Sequence, residues 1–497
     1  SGNAHVIHKA GKVLVSPWQI IENGCIHVEN DIIVDVWSEK SGNAQDAFAA
    51  FNSNCGVDVS SCVVEVIDHG PGILMPALVN AHTHFELSAM KGRISFDRGF
   101  NGWVRELLKQ RDACGIDMLR QEAGKSILTA VASGTSLFGE ISTLGITEDI
   151  FADSDIRGVW FQECLGTEEP FNISRLLSRR SHSNRSHSDR SHSHQHLFFD
   201  PPETLSSSVS MADHASTHLL SSVSIAGHAP HTTSPELLKM LKQHTKAANL
   251  PFSIHVAESC DETEFITTTN TSIRASVPYE NRPPAEFVFH PVKSRSEISR
   301  NEIRFCSKSS KNYGQGQWAQ FLRQRGIDFS SWPVPSRSSV QYLYDMGILD
   351  PLTLAVHLLD VDIEDIEIIA KTGAKPVFCP RSNFNLHKKL PDIPLFLQCG
   401  LKPALGSDSL ASTETLNMFD EMAFVAEHFP QINPCDILAM ATVNGADALG
   451  HGKTAGTLEK GKRADFLYIP LITSGCDINS IIMDIIATKA STGSDCC

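Results

Sequence analysis

Short apolar runs recur through the middle of the chain, and each ends in a polar residue. Most are followed by a stretch with helical periodicity. Continuous apolar runs that alternate with helices are typical of parallel strands buried on both faces. Eight such units predict an α/β protein built on a closed, TIM-like (β/α)8 barrel whose strand ends converge on one face. The runs are Leu78–His82, Thr135–Glu140, Gly158–Glu163, Val223–His228, Phe252–His255, Leu354–His357, Lys375–Cys379 and Lys402–Asp408.

Four helices are predicted between and after these runs. They are Asn101–Asp112, Ser234–Ala247, Thr413–His428 and Pro434–Leu449. Ser412 and Asn433 stand directly before the last two. Both residue types are good N-caps, because their side chains accept a hydrogen bond from a backbone N–H.

The two ends of the chain differ from the barrel pattern. Residues 5–72 alternate in strand fashion around Val13–Val15 and Ile32–Trp37, and the tail contains a similar stretch at Gly461–Ile469. Because β-rich ends that flank a barrel can pair, the sequence predicts a small β-sandwich domain formed by 1–72 and 451–497. The barrel would then occupy 73–450.

Two polar segments interrupt the predicted barrel, near 172–222 and 267–314. The first contains Ser-His repeats between Ser181 and Gln195 that are too polar to bury a core, which predicts a disordered loop. The second mixes Ser, Asn, Arg, Lys and Pro with little periodicity. Long loops of this kind are either lids or disordered segments, and the sequence leaves both open.

Composition narrows the class of function. The chain has 497 residues, of which 41% are hydrophobic and 20% charged, and these fractions are ordinary for a globular protein. A net charge of −15 argues against nucleic acid as a partner, because such binding needs a basic face. No apolar run approaches the roughly 20 residues of a membrane helix. The expected partner is a small dissolved molecule, and a homo-oligomer is left open.

Cysteine usage and the first residues bear on the compartment. The 13 cysteines form no paired framework, which favours a reducing, cytoplasmic setting. The start of the chain lacks the basic and apolar regions of a signal peptide. A cytoplasmic protein is therefore expected.

Potential metal ligands stand at the ends of four runs. His82 ends the first run and His84 stands two residues later, so strand alternation puts both imidazoles on one side. His255, His357 and Asp408 end the fifth, sixth and eighth runs, which a barrel makes neighbours. Histidine nitrogens with a carboxylate suit Zn²⁺ or Fe²⁺ and leave a position for water. The sequence predicts one divalent ion, with Zn²⁺ preferred over Fe²⁺.

Glu258 follows His255 by three residues and can project into the same end of the barrel without binding the ion. An acid beside an activated water can carry a proton to a leaving group, so Glu258 is predicted to be catalytic. The alternative is a solvated glutamate at the start of a helix.

Six stretches form a recognisable set and span most of the chain. They are Met75–Ser88, Gly227–Pro230, His255–Ser259, Cys379–Asn383, Gly406–Ser412 and Gly456–Asp465. Together they resemble the amidohydrolase superfamily, and within it the branch that deaminates methylthioadenosine, S-adenosylhomocysteine, adenosine or aminofutalosine.

This resemblance implies hydrolytic deamination of an adenosine-type nucleoside at a single metal ion, with no organic cofactor. The ion would be held by His82, His84, His255 and Asp408. Its hydroxide would attack C6 of the purine, and ammonia would leave. In the family pattern Glu258 protonates the ring nitrogen, while His357 and Asp408 orient and deprotonate the water.

One absence separates the chain from the two-metal members of the superfamily. Those enzymes bridge two ions with a carbamylated lysine at the end of the fourth strand. No lysine occurs between Lys125 and Lys239, and His228 ends the fourth run instead. A mononuclear centre is therefore expected.

The sequence indicates the residues that contact the substrate less clearly than it indicates the metal ligands. By position His228 resembles the family residue that contacts ribose, although His231 replaces the tyrosine that many relatives have nearby. Arg381 could pair with a substrate carboxylate, or it could be a surface arginine in a loop. The first loop would cover the pocket with Glu86, Ser88, Arg93 and Trp103. Trp103 could equally pack in the core on one helical face with Leu107 and Leu108.

Two other functions remain open. The first is another mononuclear amidohydrolase, of the guanine, cytosine or chlorotriazine type, with the same metal set and a different pocket. The second is a metal-binding protein without catalysis that uses the His-rich tract for interaction. Glu258 and His357 argue against the second, because a storage or scaffold protein needs neither.

Overall fold

The structure is a computed structural model. It describes residues 5–39, 64–153, 156–167, 173, 221–267, 316–324, 329, 332, 338–470 and 477–490. The polar insertions predicted near 172–222 and 267–314, including the His-rich tract, therefore lie almost entirely outside the described residues.

Both ends of the chain contribute to one mixed sheet of six strands. They are β1 (His5–Ser16), β2 (Gln19–Glu29), β3 (Ile32–Ser38), β4 (Val64–Asp68), β5 (Ile73–Pro76) and β14 (Phe466–Ile469). The order is β14-β5-β1-β2-β3, with β4 paired to β1. Val13, Ile26, Leu74 and Phe466 pack in a common buried cluster. The predicted β-rich unit built from both termini is confirmed.

The division between this sheet and the barrel differs from the expectation in two places. Ile73–Pro76, which we assigned to the barrel, pairs with β1 and β14, so the barrel begins at Leu78. In 451–497 the described strand is β14 alone. The later helix Ile478–Lys489 buries Ile481 and Ile485 in the large barrel cluster.

Eight further strands form a parallel sheet that curls into a barrel. They are β6 (Leu78–Thr83), β7 (Thr135–Ser142), β8 (Arg157–Cys164), β9 (Ser221–Gly227), β10 (Phe252–Val256), β11 (Thr353–His357), β12 (Lys375–Phe378) and β13 (Ala404–Leu405). They follow one another in sequence order across the sheet. All eight predicted runs are strands, which confirms the fold class.

The first and last strands meet at the end that carries the histidines. The Asp408 backbone N–H donates to His82 O at 3.0 Å, and the His84 N–H donates to Asp408 O at the same distance. Thr83 and Asp408 form a parallel bridge. Residues from opposite ends of the barrel sequence are thereby placed side by side.

Alternation along the strands separates two apolar layers. Val159, Phe161, Leu354 and Val356 belong to a cluster inside the barrel. Phe138, Trp160, Phe252 and Ile254 belong to the larger cluster that includes the surrounding helices. Burial of each such side chain contributes about 1.5–3 kcal/mol, so the strands form a rigid base for the polar residues at their ends.

Helices connect and surround the strands. A 3₁₀ helix covers Phe85–Met90. The α-helices are α1 (Gly99–Cys114), α2 (Ile116–Ala132), α3 (Glu148–Asp153), α4 (Pro235–Ala247), α5 (Cys260–Ile266), α6 (Gly316–Gln324), α7 (Ser339–Asp345), α8 (Ile363–Thr372), α9 (Pro380–His387), α10 (Ile393–Gln398), α11 (Met418–His428), α12 (Pro434–Met440), α13 (Val443–Ala448) and α14 (Ile478–Lys489). Among the described helices, none has the length and hydropathy needed to cross a bilayer.

Two predicted helices differ from the structure. The helix expected at Thr413–His428 begins at Met418, because Ser412 donates to Asp408 Oδ2 and Asn417 is the N-cap. The helix expected at Pro434–Leu449 is divided into α12 and α13. Ala441 lies in the break, where its carbonyl accepts a hydrogen bond from the Val79 N–H of β6.

Candidate active site at the strand ends

Three imidazoles converge where the barrel closes. Nε2 of His82 lies 3.2 Å from Nε2 of His84 and 3.3 Å from Nε2 of His255. All three side chains are buried, and one ligand atom from each lies within 4.8 Å of the others. Asp408 adds a carboxylate, with Oδ1 at 3.7 Å from Nε2 of His84. The structure therefore brings together all four predicted metal ligands.

Hydrogen bonds to neighbouring residues orient two of the four predicted ligands, His255 and Asp408. Nδ1 of His255 donates to the His228 carbonyl at 2.8 Å, which leaves Nε2 as the nitrogen that faces His82. Ser382 and Ser412 donate to Asp408 Oδ2 at 2.5 and 3.2 Å, whereas Oδ1 faces His84. Such partners fix the tautomer and orientation of a metal ligand.

The donor set fits one divalent cation. Burial, followed by the neighbouring His84 and His255, lowers the pKa of His82 well below its ordinary value, so this imidazole is neutral at pH 7. Neutral imidazole is the form that binds metal. Three nitrogens and one carboxylate oxygen suit Zn²⁺ or Fe²⁺, and a cation relieves the close approach of their lone pairs.

Left-handed backbone conformations recur at the ends of these strands. The φ angles are 52° at Ala257, 77° at His357 and 60° at Asp408. Each such conformation costs about 1–3 kcal/mol and is maintained only where surrounding contacts fix it. The backbone bonds of Asp408 to His82 and His84 are contacts of this kind.

Glu258 and His357, the predicted proton-handling pair, lie beside the candidate ligand cluster. Glu258 Oε1 is 3.8 Å from His357 Nε2. Burial opposes ionisation of Glu258, but His357 and a hydrogen bond from His387 outweigh it and lower the pKa of this carboxyl. Burial lowers the pKa of His357 to about 4 against the opposing effect of Glu258. At neutral pH both groups are proton acceptors.

A buried glutamate supports the backbone of Glu258. Glu262 accepts the Ala257 N–H at 2.8 Å and the Glu258 N–H at 3.1 Å, which stabilises the left-handed turn at Ala257. Burial raises the pKa of Glu262 to about 7 despite these bonds. His231, the residue that departs from the family pattern, lies 3.7 Å from the same carboxylate.

A pocket opens next to the ligand cluster. Its polar side includes His84, His255, Glu258, His357 and Asp408, together with Glu163 and His228. Its opposite wall is largely apolar and is formed by Leu87, Phe100, Trp103, Val104, Leu107 and Leu165. A ligand with a planar, mostly apolar ring and polar edges would match this division of the pocket into a polar and an apolar side.

Predicted substrate residues divide into those that line the pocket and those that do not. His228 lines it, and Thr232 Oγ1 lies 2.7 Å from its Nδ1. Trp103 lines it as well. Its side chain is also buried, and its Nε1 donates to the Ala411 carbonyl at 3.2 Å. Both interpretations of Trp103 therefore describe part of its environment.

Among the other predicted residues of the first loop, Glu86 makes hydrogen bonds that support the neighbouring strand end. Glu86 is buried, and its carboxylate accepts Ser142 Oγ at 2.7 Å and the Thr143 N–H at 2.9 Å. Ser88 is buried as well, and Arg93 is exposed and donates to Cys114 Sγ. The structure does not place these three side chains among the described residues that line the pocket.

Arg381 is engaged within the protein. Nε donates to Glu421 Oε1 at 2.8 Å, and the two terminal nitrogens donate to Oγ1 and the carbonyl oxygen of Thr415. The side chain is buried, so it is not a surface arginine. Because its donors are satisfied by Glu421 and Thr415, the structure does not support the predicted pairing with a substrate carboxylate.

Sequence reasoning missed several residues of this site. Glu163 is the last residue of the third apolar run and the next-to-last residue of β8, and its Oε1 lies 3.8 Å from His255 Nδ1. The rule used for the ends of the other runs would therefore have found it. Asn383 donates to His357 Nδ1 at 2.9 Å, and Ser382 holds Asp408. His387 contacts Glu258 one helical turn after Asn383. No spacing rule in the sequence indicated this contact.

Comparisons with known proteins agree with this geometry. The sequence model described as Amidohydrolase family matches residues 73–489. An aminodeoxyfutalosine deaminase of Deinococcus radiodurans is 26% identical over 384 residues, which are 77% of this chain and 74% of the relative. A 5-methylthioadenosine/S-adenosylhomocysteine deaminase of Teredinibacter turnerae is 24% identical over 411 residues, 81% of this chain and 72% of the relative.

A solved structure has a similar fold. The adenosine deaminase from Xanthomonas campestris with bound zinc aligns with a TM-score of 0.65 at 18% identity. The alignment covers 96% of this chain and 89% of that protein.

Proposed function

The chain belongs to the amidohydrolase family, and from this premise we propose that it is a mononuclear, metal-dependent deaminase of an adenosine-type nucleoside. The observation that carries the proposal is the position of Glu258 and His357 beside the ligand cluster of His82, His84 and His255. Proton-transfer groups next to a metal site are required for hydrolysis and serve no purpose in storage. The deaminase names of two relatives support the same reaction.

The proposed ion is Zn²⁺, held by His82, His84, His255 and Asp408. The adenosine deaminase from Xanthomonas campestris contains bound zinc in its solved structure, and Fe²⁺ is compatible with the same donors. When bound, the ion supplies Lewis-acid activation of a water molecule.

The side chains of the site then move two protons. His357 is neutral at pH 7 and accepts a proton from the attacking water. Glu258 is ionised, so it must first gain a proton before it can donate one to the purine ring nitrogen. The proton that His357 accepts passes to Glu258, 3.8 Å away, and from there to the ring nitrogen as the water oxygen adds at C6. The second proton of the water passes to the amino nitrogen, the bond from C6 to that nitrogen breaks, and ammonia leaves while the oxygen stays on C6 as a carbonyl. A carboxylate that alternates between base and acid suits this sequence.

The proposed substrate is adenosine, methylthioadenosine, S-adenosylhomocysteine or aminofutalosine. The apolar wall that includes Phe100, Trp103 and Leu107 can pack against a purine or a thioether. Because Arg381 is paired with Glu421, this arginine gives no reason to expect a carboxylate on the substrate. His228, at the pocket edge, is proposed to contact the ribose.

The test is ammonia release from the zinc-loaded protein offered these four nucleosides in parallel. We expect turnover of at least one, and a loss of about 10²–10⁴-fold in Glu258→Gln because the proton relay is removed. The zinc content of Glu258→Gln should equal that of the wild type, since Glu258 is not a ligand. Turnover of guanine, cytosine or a chlorotriazine instead would show that the protein is another mononuclear amidohydrolase and not a nucleoside deaminase.

A further inference from the structure

Glu258 has a second histidine partner. Nε2 of His387 lies 3.3 Å from Glu258 Oε1, closer than His357 Nε2 at 3.8 Å. A carboxylate oxygen can only accept here, so the His387 N–H is the donor. The His387 side chain is 9% exposed, and that of Glu258 is 14% exposed. A charged hydrogen bond with so little water around it is strong and directional.

The helix that carries His387 also supports two other residues of the site. α9 follows β12 directly, and its first turn contains Ser382 and Asn383. Ser382 donates to Asp408, and Asn383 donates to His357. His387 is four residues after Asn383, so both side chains lie on one face of the helix. One helix face therefore contacts both members of the proton-handling pair.

The His387 ring also contacts an aromatic residue of the pocket wall. Its centroid lies 4.7 Å from that of Phe100, and Phe100 belongs to the apolar wall of the pocket. α9 ends immediately afterwards at Lys388, which has a left-handed φ of 51°. The His387 ring therefore contacts both Phe100 and Glu258.

We propose that His387 is a positioning residue that holds the carboxylate of Glu258 in the orientation needed for proton transfer. The inference rests on the proposed function, since it assigns to Glu258 the proton relay described above. His387 acts through Glu258, with α9 as the rigid support.

The kinetic test compares His387→Ala, His387→Gln and His244→Ala. Loss of a hydrogen bond to a charged group corresponds to about a ten- to hundredfold fall in kcat for His387→Ala, with KM nearly unchanged. His387→Gln keeps an N–H donor and should recover most of this loss. His244 also lies in the last turn of a helix, α4, and its replacement should leave kcat unchanged.

Added imidazole provides a second kinetic readout. It should restore part of the activity of His387→Ala by entering the space left by the ring, and it should not restore Glu258→Gln. A purely structural role for His387 predicts no such rescue. Unchanged kcat in His387→Ala, or equal losses in the Ala and Gln variants, would overturn the proposal.

An NMR measurement separates this inference from the proposed function. In protein labelled with ¹⁵N-histidine, the ring signals of His387 are assigned by their loss in His387→Gln. Glu258→Gln should shift these signals and leave those of His244 in place. If the wild type deaminates no nucleoside, the proposed function is wrong, but the shift of the His387 signals in Glu258→Gln still tests the contact between His387 and Glu258. If the signals do not move, the contact fails even in an active enzyme.

Discussion

Arg381 shows that partners distant in sequence decide the role of a single residue. It follows the seventh strand, where a cation could face a ligand, and its neighbours Ser382 and Asn383 do support the site. Glu421 lies 40 residues later, on α11, and is fully buried. Burial raises the pKa of Glu421, and the charge and hydrogen bonds of Arg381 oppose this increase.

Arg381→Ala is expected to destabilise the fold without changing the substrate preference. It leaves Glu421 without its cationic partner, and breaking a buried pair costs about 3–5 kcal/mol. The measurement is the urea midpoint, together with kcat/KM for nucleosides with and without a carboxylate. Lys375→Ala is the matched control, because the Lys375–Asp447 pair is more exposed and is worth at most about 1 kcal/mol. Normal stability with a selective loss of carboxylate substrates would contradict this role.

Residues at strand ends were predictable because a barrel places them together whatever their separation in sequence. His82, His84, His255 and Asp408 were identified in this way, and the structure brings them together. Glu258 was predictable as well, because it lies only three residues after His255. Residues such as His387 were not predictable, because their contacts depend on where a helix ends and how it turns.

At the scale of elements, closure between β6 and β13 determines the shape of the ligand cluster. Gly406 stands in the connection from β13 to Asp408. An added methyl group there would lie 2.7 Å from His82 O and 2.8 Å from His82 Cβ, both too close for real contacts. The backbone of His82 therefore depends on a glycine from the last strand.

Gly406→Ala is expected to displace His82 and lower both the metal content and the turnover. The measurement is the number of zinc ions per chain after dialysis against a fixed concentration of free zinc. Gly124→Ala is the control, since the methyl group meets no atom within 4 Å in α2 and alanine favours a helix. Full zinc content in Gly406→Ala would show that β6 can shift without cost to the site.

The type of each element was easier to predict than its ends. The apolar runs gave all eight barrel strands, because burial on both faces leaves a clear pattern. The start of α11 was misplaced because Ser412 is a plausible cap, and nothing local revealed that its hydroxyl bonds to Asp408. The break between α12 and α13 depends on the contact of Ala441 with β6, which is also not visible in the local sequence.

At the scale of the whole molecule, the two ends of the chain close the small sheet next to the barrel. β14 pairs with β5, and Arg157 of β8 forms an ion pair with Asp465 just before β14. The composition and alternation of the ends predicted this unit. The exact division did not follow from the sequence, because β5 is as apolar as the barrel strand that follows it.

One ion held by His82, His84, His255 and Asp408 is proposed to make this protein a nucleoside deaminase. The decisive measurement is ammonia release from adenosine-type nucleosides before chelation, after chelation, and after stepwise return of Zn²⁺. We predict that turnover disappears with the metal and returns in proportion to zinc, reaching its maximum at about one ion per chain. His82→Ala, treated in the same way, should recover no activity. Deamination at an undiminished rate by the metal-free protein would contradict the proposed role of the ion.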